Sequence, residues 1–177
     1  MLDLPILTCG TAQRAYPGEQ VCGDMVACWT AADGVWACAV DGLGHGAQAH
    51  DAARAFMAIV TTSATPQPLG RLVDADKGLR ATRGAAAALA RIAHVEERVE
   101  IAAIGNIRGM ILGAADRWFE GVPGIVGAHM RSPRQLTFSF CRDDLLAMWT
   151  DGLVNVDLRR TVSRHGHDPR ALADLII

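Results

Sequence analysis

In the stretch MVACWTAADGVWACAV, two apolar runs at residues 25–30 and 35–40 lie so close together that they can pair only as antiparallel strands. The Asp33-Gly34 dipeptide between them tolerates positive φ in a tight hairpin turn. From Gly46 to about Thr62 the pattern becomes helical, with Ala49, Ala53, Phe56, Met57 and Val60 on one face and TTSATPQP closing the segment. A short helix is expected near Leu69 to Asp76, and a further helix over RGAAAALARIAH, residues 83–94, from the propensity of its alanines. From Val99 onward the chain reads as strands: VEIAAIG, RGMILGAA, RWFEGV, QLTFSFC and DLLAMWT, making at least seven with the hairpin. Val154 to Val162 and Pro169 to Ile177 are expected to be helical, with Asp168 as a cap and Pro169 in the first turn. Strands that neighbour one another in sequence, with helices in blocks, predict an α+β fold on antiparallel sheet rather than a βαβ winding.

At 177 residues, half of them hydrophobic, the chain is expected to form one domain over 1–177 with a sizeable core. A net charge of −2 with scattered Lys and Arg argues against a nucleic-acid or membrane-surface partner. Five cysteines without a C-x-x-C spacing fit a reducing compartment better than a disulfide framework. The N-terminal MLDLPILTCGTAQ lacks the basic region of a signal peptide, and no segment approaches 18 uninterrupted apolar residues. A soluble, cytoplasmic protein is the expectation.

The loop VDGLGHGAQA between the second strand and the first helix admits two chemistries. Gly42, Gly44 and Ala47 fit a loosened G-x-G-x-x-A dinucleotide fingerprint, but that site needs a βαβ unit and an acidic residue about 20 positions on. Here the preceding strand belongs to a hairpin and residues 62–67 read TSATPQ. Asp41 would also set negative charge where a pyrophosphate should lie. The alternative is a metal site. Asp24 precedes the first strand, Asp41 ends the second and Asp151 ends LLAMWT, each beside a glycine. Strand ends of one sandwich can converge at one edge, and hard divalent cations take several oxygen ligands. Each Asp-Gly pair alone also reads as an ordinary turn; the set points to a metal.

GEQVCGD before the hairpin, VDGLGHGAQAHDAA, TRGAAAALARI, AAIGNIRGMI, GIVG and MWTDGL resemble, in order and spacing, the metal-dependent protein phosphatases of the PPM (type 2C) class. Within that class the chain is most similar to the SpoIIE-like branch and its small single-domain RsbX-type phosphatases of bacterial stress signalling, over about Gly18 to Leu153. The resemblance implies an αββα sandwich of two antiparallel sheets flanked by helices, with two Mn²⁺ or Mg²⁺ ions at one end. Asp41 would bridge both ions, Asp24 and the Gly42 carbonyl would serve one, and Asp151 the other. A water activated by the ions would attack phosphoserine or phosphothreonine in line. His45 is the candidate proton donor to the leaving oxygen, with capping of the helix as its alternative role. Arg83 and Arg108 are candidate phosphate ligands outside the main assignment, and Asn106 reads as a turn residue. The implied substrate is a phosphorylated STAS-domain or stressosome protein.

Family members usually continue into a final strand opening with D-D-x-T, whereas this sequence ends at LADLII, with Asp174 in an expected helix. The second ion would then be short of a carboxylate. A rival reading is a degenerate phosphatase domain that binds a phosphoprotein without turnover. A third, a structural zinc site from Cys22, Cys28, Cys38, His45 and His50, matches no usual zinc spacing; Cys28 and Cys38 read more simply as small core residues.

Overall fold

A computed structural model describes residues 7–153 and 157–176. β1 (Asp24–Ala31) and β2 (Gly34–Gly42) form the expected antiparallel hairpin. The turn falls on Ala32 and Asp33, since Ala31 pairs with Gly34. Gly34 therefore opens the second strand with φ 137°. A β-carbon there would lie 2.5 Å from the Ile92 carbonyl oxygen, so the close passage of the neighbouring strand also favours glycine. The Asp33 carboxylate meanwhile accepts a 3.0 Å hydrogen bond from the Trp36 indole.

After the hairpin come α1 (Ala47–Thr62) and α2 (Pro68–Gly78). The apolar face of α1 buries Ala49, Ala52, Ala53, Phe56 and Val60, close to the expected stripe, with Met57 at its margin. Arg71 of α2 is buried: its guanidinium lies 3.7 Å above the Trp36 ring and donates to the carbonyls of Val60 and Thr65. It thereby satisfies the Val60 carbonyl at the end of α1, which the helix cannot pair internally, and the Thr65 carbonyl in the loop beyond it.

The alanine-rich segment expected to be a helix is instead a strand, β3 (Ala85–Ala93). It pairs with β2 on one side and β4 (Arg98–Ile104) on the other, through a 3-10 turn at His94–Glu96. Ala85, Ala87 and Leu89 face the helices, whereas Ala86, Ala88, Ala90 and Ile92 face the second sheet. Both faces are apolar, so the two-residue alternation that marks a strand leaves no trace in hydrophobicity, and intrinsic propensity is overridden by burial and pairing.

β5 (Arg108–Leu112), β6 (Arg117–Glu120), β9 (Gln135–Ser139) and β10 (Leu145–Trp149) match the remaining expected strands, and two short strands, β7 (Gly124–Ile125) and β8 (His129–Met130), add a small ladder. The first sheet has the order β1-β2-β3-β4-β9 and the second β10-β5-β6. α3 (Leu158–His165) and α4 (Pro169–Ile176) follow. Asp168 accepts from the Arg170 N–H as anticipated, and Asp157 caps α3 through the Arg160 N–H. Val154–Val156 and Ile177, included in the expected helices, lie outside the described residues.

Three apolar layers hold the sandwich. One lies between α1, α2 and the first sheet, around Trp36, Phe56, Leu72 and Leu89. The second lies between the sheets, where Ala88, Ile101 and Ala103 meet Ile107, Ile111 and Phe119. The third packs Leu158, Val162 and Leu172 of α3 and α4 on Met110, Leu112 and Trp149. The architecture is thus αββα, as expected. No helix among the described residues is long and apolar enough to cross a membrane.

The cysteines depart from expectation. Cys9 and Cys28 form a disulfide that ties the N-terminal segment to the edge strand β1, so Cys28 is not a plain core residue. Cys38 is buried under the helices as anticipated.

Ala88 is fully buried between the sheets. Replacing it with leucine is expected to destabilise the protein by about 1–3 kcal/mol, the usual cost of over-packing. Urea unfolding measures this, and an unchanged midpoint would contradict the strand's placement between two packed layers.

Candidate metal centre

Antiparallel pairing brings four segments of the first sheet to one edge of the sandwich: the start of β1, the end of β2, the start of β3 and the end of β4. Packing of the second sheet adds the end of β10. Counting outward from the Ala32-Asp33 turn, the hairpin register sets Asp24 opposite Asp41. From the other sheet, Thr150 donates a 2.8 Å hydrogen bond to Asp24. Asn106, just after β4, donates at 2.6 Å to Asp151 and also interacts with Asp41. A cleft of about 320 Å³ opens here, lined by Asp41, Leu43, Gly44, Asn106, Asp151 and neighbouring glycines.

The carboxylates perturb one another. Burial, then the charge of Asp24 and a shared hydrogen bond with it, then the charge of Asp151, raise the Asp41 pKa from 3.8 to about 7, against a lowering contribution from Asn106. Asp24 and Asp41 are the close pair; Asp151 acts on Asp41 through its charge. Among the described residues, no three His, Cys, Asp or Glu side chains are gathered as a finished metal-ligand group. The pair nevertheless fits a hard divalent cation, which would relieve by its charge the repulsion that a shared proton otherwise relieves. Asp24 and Asp41 would hold one ion, and Asp151, across the cleft, would serve another.

The loop beyond Asp41 is shaped by close approach. A β-carbon on Gly42 would fall 2.0 Å from the carbonyl oxygen of Ala49, so only glycine lets α1 pack so near the carboxylates. The Gly42 N–H donates to the Gly23 carbonyl, and a β-carbon on Gly23 would lie 3.8 Å from the Gly42 oxygen. Gly42 itself is buried and is not among the residues lining the cleft.

His45 is exposed and does not line the cleft. Its Nδ1 lies 2.6 Å from Glu19 and its ring stacks on Tyr16 at 5.2 Å between centroids. The N-terminal segment thus holds the imidazole at the rim. Arg108 is tied to Glu120 at 3.4 Å, while Arg83 reaches the cleft-lining Gly44. The residues of the zinc reading do not converge: Cys28 is in the disulfide, Cys38 is in the core, His45 meets Glu19 and His50 meets the Cys22 carbonyl. Asp174 is exposed on α4 and lines no part of the cleft. Sequence reasoning gives Asn106 only as a turn residue and does not reach Thr150, Glu19 or Tyr16; of these, only Thr150 carries a signal, its place directly before Asp151.

No protein-family model and no curated protein matches the chain. Solved structures do. One, reported as "The bacterial stressosome: a modular system that has been adapted to control secondary messenger signaling", is 28% identical with a TM-score of 0.88, covering 94% of this chain and 88% of that one. RsbX in complex with magnesium is 20% identical with a TM-score of 0.80, covering 93% and 83%. The structure of the PP2C phosphatase domain and a regulatory fragment of SpoIIE from Bacillus subtilis is 21% identical with a TM-score of 0.76, covering 96% and 56%. The fold is that of the PPM phosphatases. Within that fold the neighbours include the RsbX and SpoIIE domains to which the sequence motifs pointed.

Asp41 generates a pH dependence in the metal-free protein. Its folded-state pKa lies above its unfolded value, so folding favours the protonated form, and that stabilisation is present below about pH 4 and lost as pH rises through about 7. In EDTA, thermal stability should fall over this window more steeply in the wild type than in Asp41→Asn, and added Mg²⁺ should restore it most at high pH. Equal pH slopes in the two proteins would contradict the assignment.

Proposed function

We propose that the chain is a metal-dependent protein serine/threonine phosphatase that removes phosphate from a phosphoserine or phosphothreonine on a bacterial signalling protein. The observation that carries this reading is the close Asp24–Asp41 carboxyl pair, with Asp41 and Asp151 both lining one open cleft, on a PPM fold. Divalent ions, Mg²⁺ or Mn²⁺, would supply a nucleophilic water at neutral pH and neutralise charge gathering on phosphorus. The chain's residues supply the rest. Thr150 and Asn106 fix the orientation of Asp24 and Asp151 through their 2.8 Å and 2.6 Å hydrogen bonds, and the glycines of the loop let α1 and the substrate approach. His45 is the proposed proton donor to the leaving serine or threonine oxygen, a reading supported by the contacts with Glu19 and Tyr16 that hold its imidazole at the rim.

The likeness to a stressosome structure and to RsbX supports a phosphorylated signalling protein as substrate, proposed here to be a STAS-domain or stressosome protein. The rival reading, a binding module without turnover, is disfavoured by the three carboxylates: like charges crowded at one edge cost stability, and binding alone does not require them.

Mn²⁺-dependent phosphate release from a phosphoserine peptide should fall by at least ~10²-fold in Asp41→Asn, the scale of losing one preorganised electrostatic group. Turnover that survives the substitution, or a folded wild type without turnover at millimolar metal, would overturn the proposal. His45→Gln should lower kcat for the phosphoserine peptide by ~10²-fold or more yet leave p-nitrophenyl phosphate, whose leaving group needs no proton, nearly unchanged. An equal loss on both substrates would remove His45 from the acid role.

A further inference from the structure

We propose that Arg83 grips the phosphoryl group of the substrate. This rests on the phosphatase reading for the identity of the substrate, but its physical basis is separate. The charged residues lining the cleft are Asp41 and Asp151, both acidic. Two divalent ions set against three aspartates leave one net positive charge, which balances only part of the charge of a phosphomonoester dianion. A fixed cation at the rim meets that need.

Arg83 is built into this position. Its Nη1 lies 2.8 Å from where a β-carbon on Gly44 would stand, so the guanidinium covers the open side of a glycine that lines the cleft. Gly44 has φ 92°, a conformation that favours glycine and leaves this side free. The turn carrying Arg83 is fixed at three points. Thr82 Oγ1 donates to the Leu79 carbonyl at 2.7 Å and accepts the Gly84 N–H at 3.0 Å, and the Gly84 carbonyl accepts the Leu43 N–H at 3.0 Å. The last bond fastens the turn directly to the metal-site loop. Arg83 is exposed and makes no ion pair among the described residues, so its guanidinium donors are not consumed by a carboxylate. Arg108, the other arginine singled out by the sequence, is held by Glu120. A planar guanidinium can meet two phosphate oxygens at once, a fit that lysine lacks.

The test measures binding of inorganic phosphate by calorimetry in the presence of Mg²⁺, beside steady-state kinetics on a phosphoserine peptide. Arg83→Ala should weaken phosphate binding by ~10- to 100-fold, the scale of a lost charge-assisted hydrogen-bonded contact, with its main kinetic effect on KM. Arg83→Lys should recover part of the affinity, and guanidinium ion added to Arg83→Ala should recover part of it too. Arg108→Ala should bind phosphate as the wild type does. Because Arg83 is exposed, thermal unfolding should be unchanged in its variants. Phosphate affinity in Arg83→Ala within twofold of wild type would overturn the proposal, as would a wild type that binds no phosphate. Arg83-dependent binding without peptide turnover would sustain Arg83 as the phosphate ligand while removing the phosphatase reading. Turnover indifferent to Arg83, with wild-type phosphate affinity, would do the reverse.

Discussion

Asp24 and Asp41 face one another across the open end of the β1–β2 hairpin, and the repulsion between their carboxylates shapes everything around them. Burial deepens that repulsion, because a low-dielectric setting penalises each charge and strengthens their mutual effect. The surrounding fold supplies partial relief from several directions. Thr150 donates to Asp24 from the second sheet, and Asn106 joins Asp41 to Asp151. These contacts cross from one sheet to the other, so the acid cluster also registers the two halves of the sandwich at that edge. What remains uncompensated is a demand for positive charge, which is the physical root of cation binding here.

Such a cluster can exist only where the backbone elements around it stand unusually close. Small residues make this possible. β3 offers alanine to the helices on one face and alanine to the second sheet on the other, and Gly42 lets the first turn of α1 lie against the end of β2. A larger side chain at these positions would push the layers apart and, with them, the strand ends that carry the carboxylates. The large apolar groups, Trp36, Phe56, Leu72 and Leu79, sit under the helices and fix the first sheet against them. Arg71 completes that layer by stacking on Trp36 and satisfying carbonyls near the end of α1.

Local signals are legible wherever the two faces of an element differ in polarity or a turn residue marks its limit. The hairpin, α1 with its buried stripe, the later strands and the Asp168 cap of α4 all fall in this class. β3 does not, because a strand buried on both faces has no polar side to reveal its period, and its alanines favour helix when considered alone. The turn of the first hairpin is displaced for a related reason. Asp33 and Gly34 make a good turn pair locally, yet Asp33 is used by Trp36 and Gly34 by the passing strand at Ile92. The bond between Cys9 and Cys28 depends on the N-terminal segment returning to the edge strand, which no spacing of five cysteines discloses.

Of the site, the sequence alone determined which groups are present: three aspartates ending or opening strands, each beside a glycine, and among them a loop that leads into a helix. That much follows from local chemistry, since residue type and immediate neighbours fix what a side chain can donate, accept or ligate. The tertiary structure decided who meets whom. Hairpin register set Asp24 against Asp41, sheet packing brought Thr150 and Asn106 to them, and a turn far along the chain laid Arg83 beside Gly44. Pairings between residues so distant in sequence are set by the summed packing of layers, in which each local preference contributes only a little, and no short stretch of sequence contains that sum.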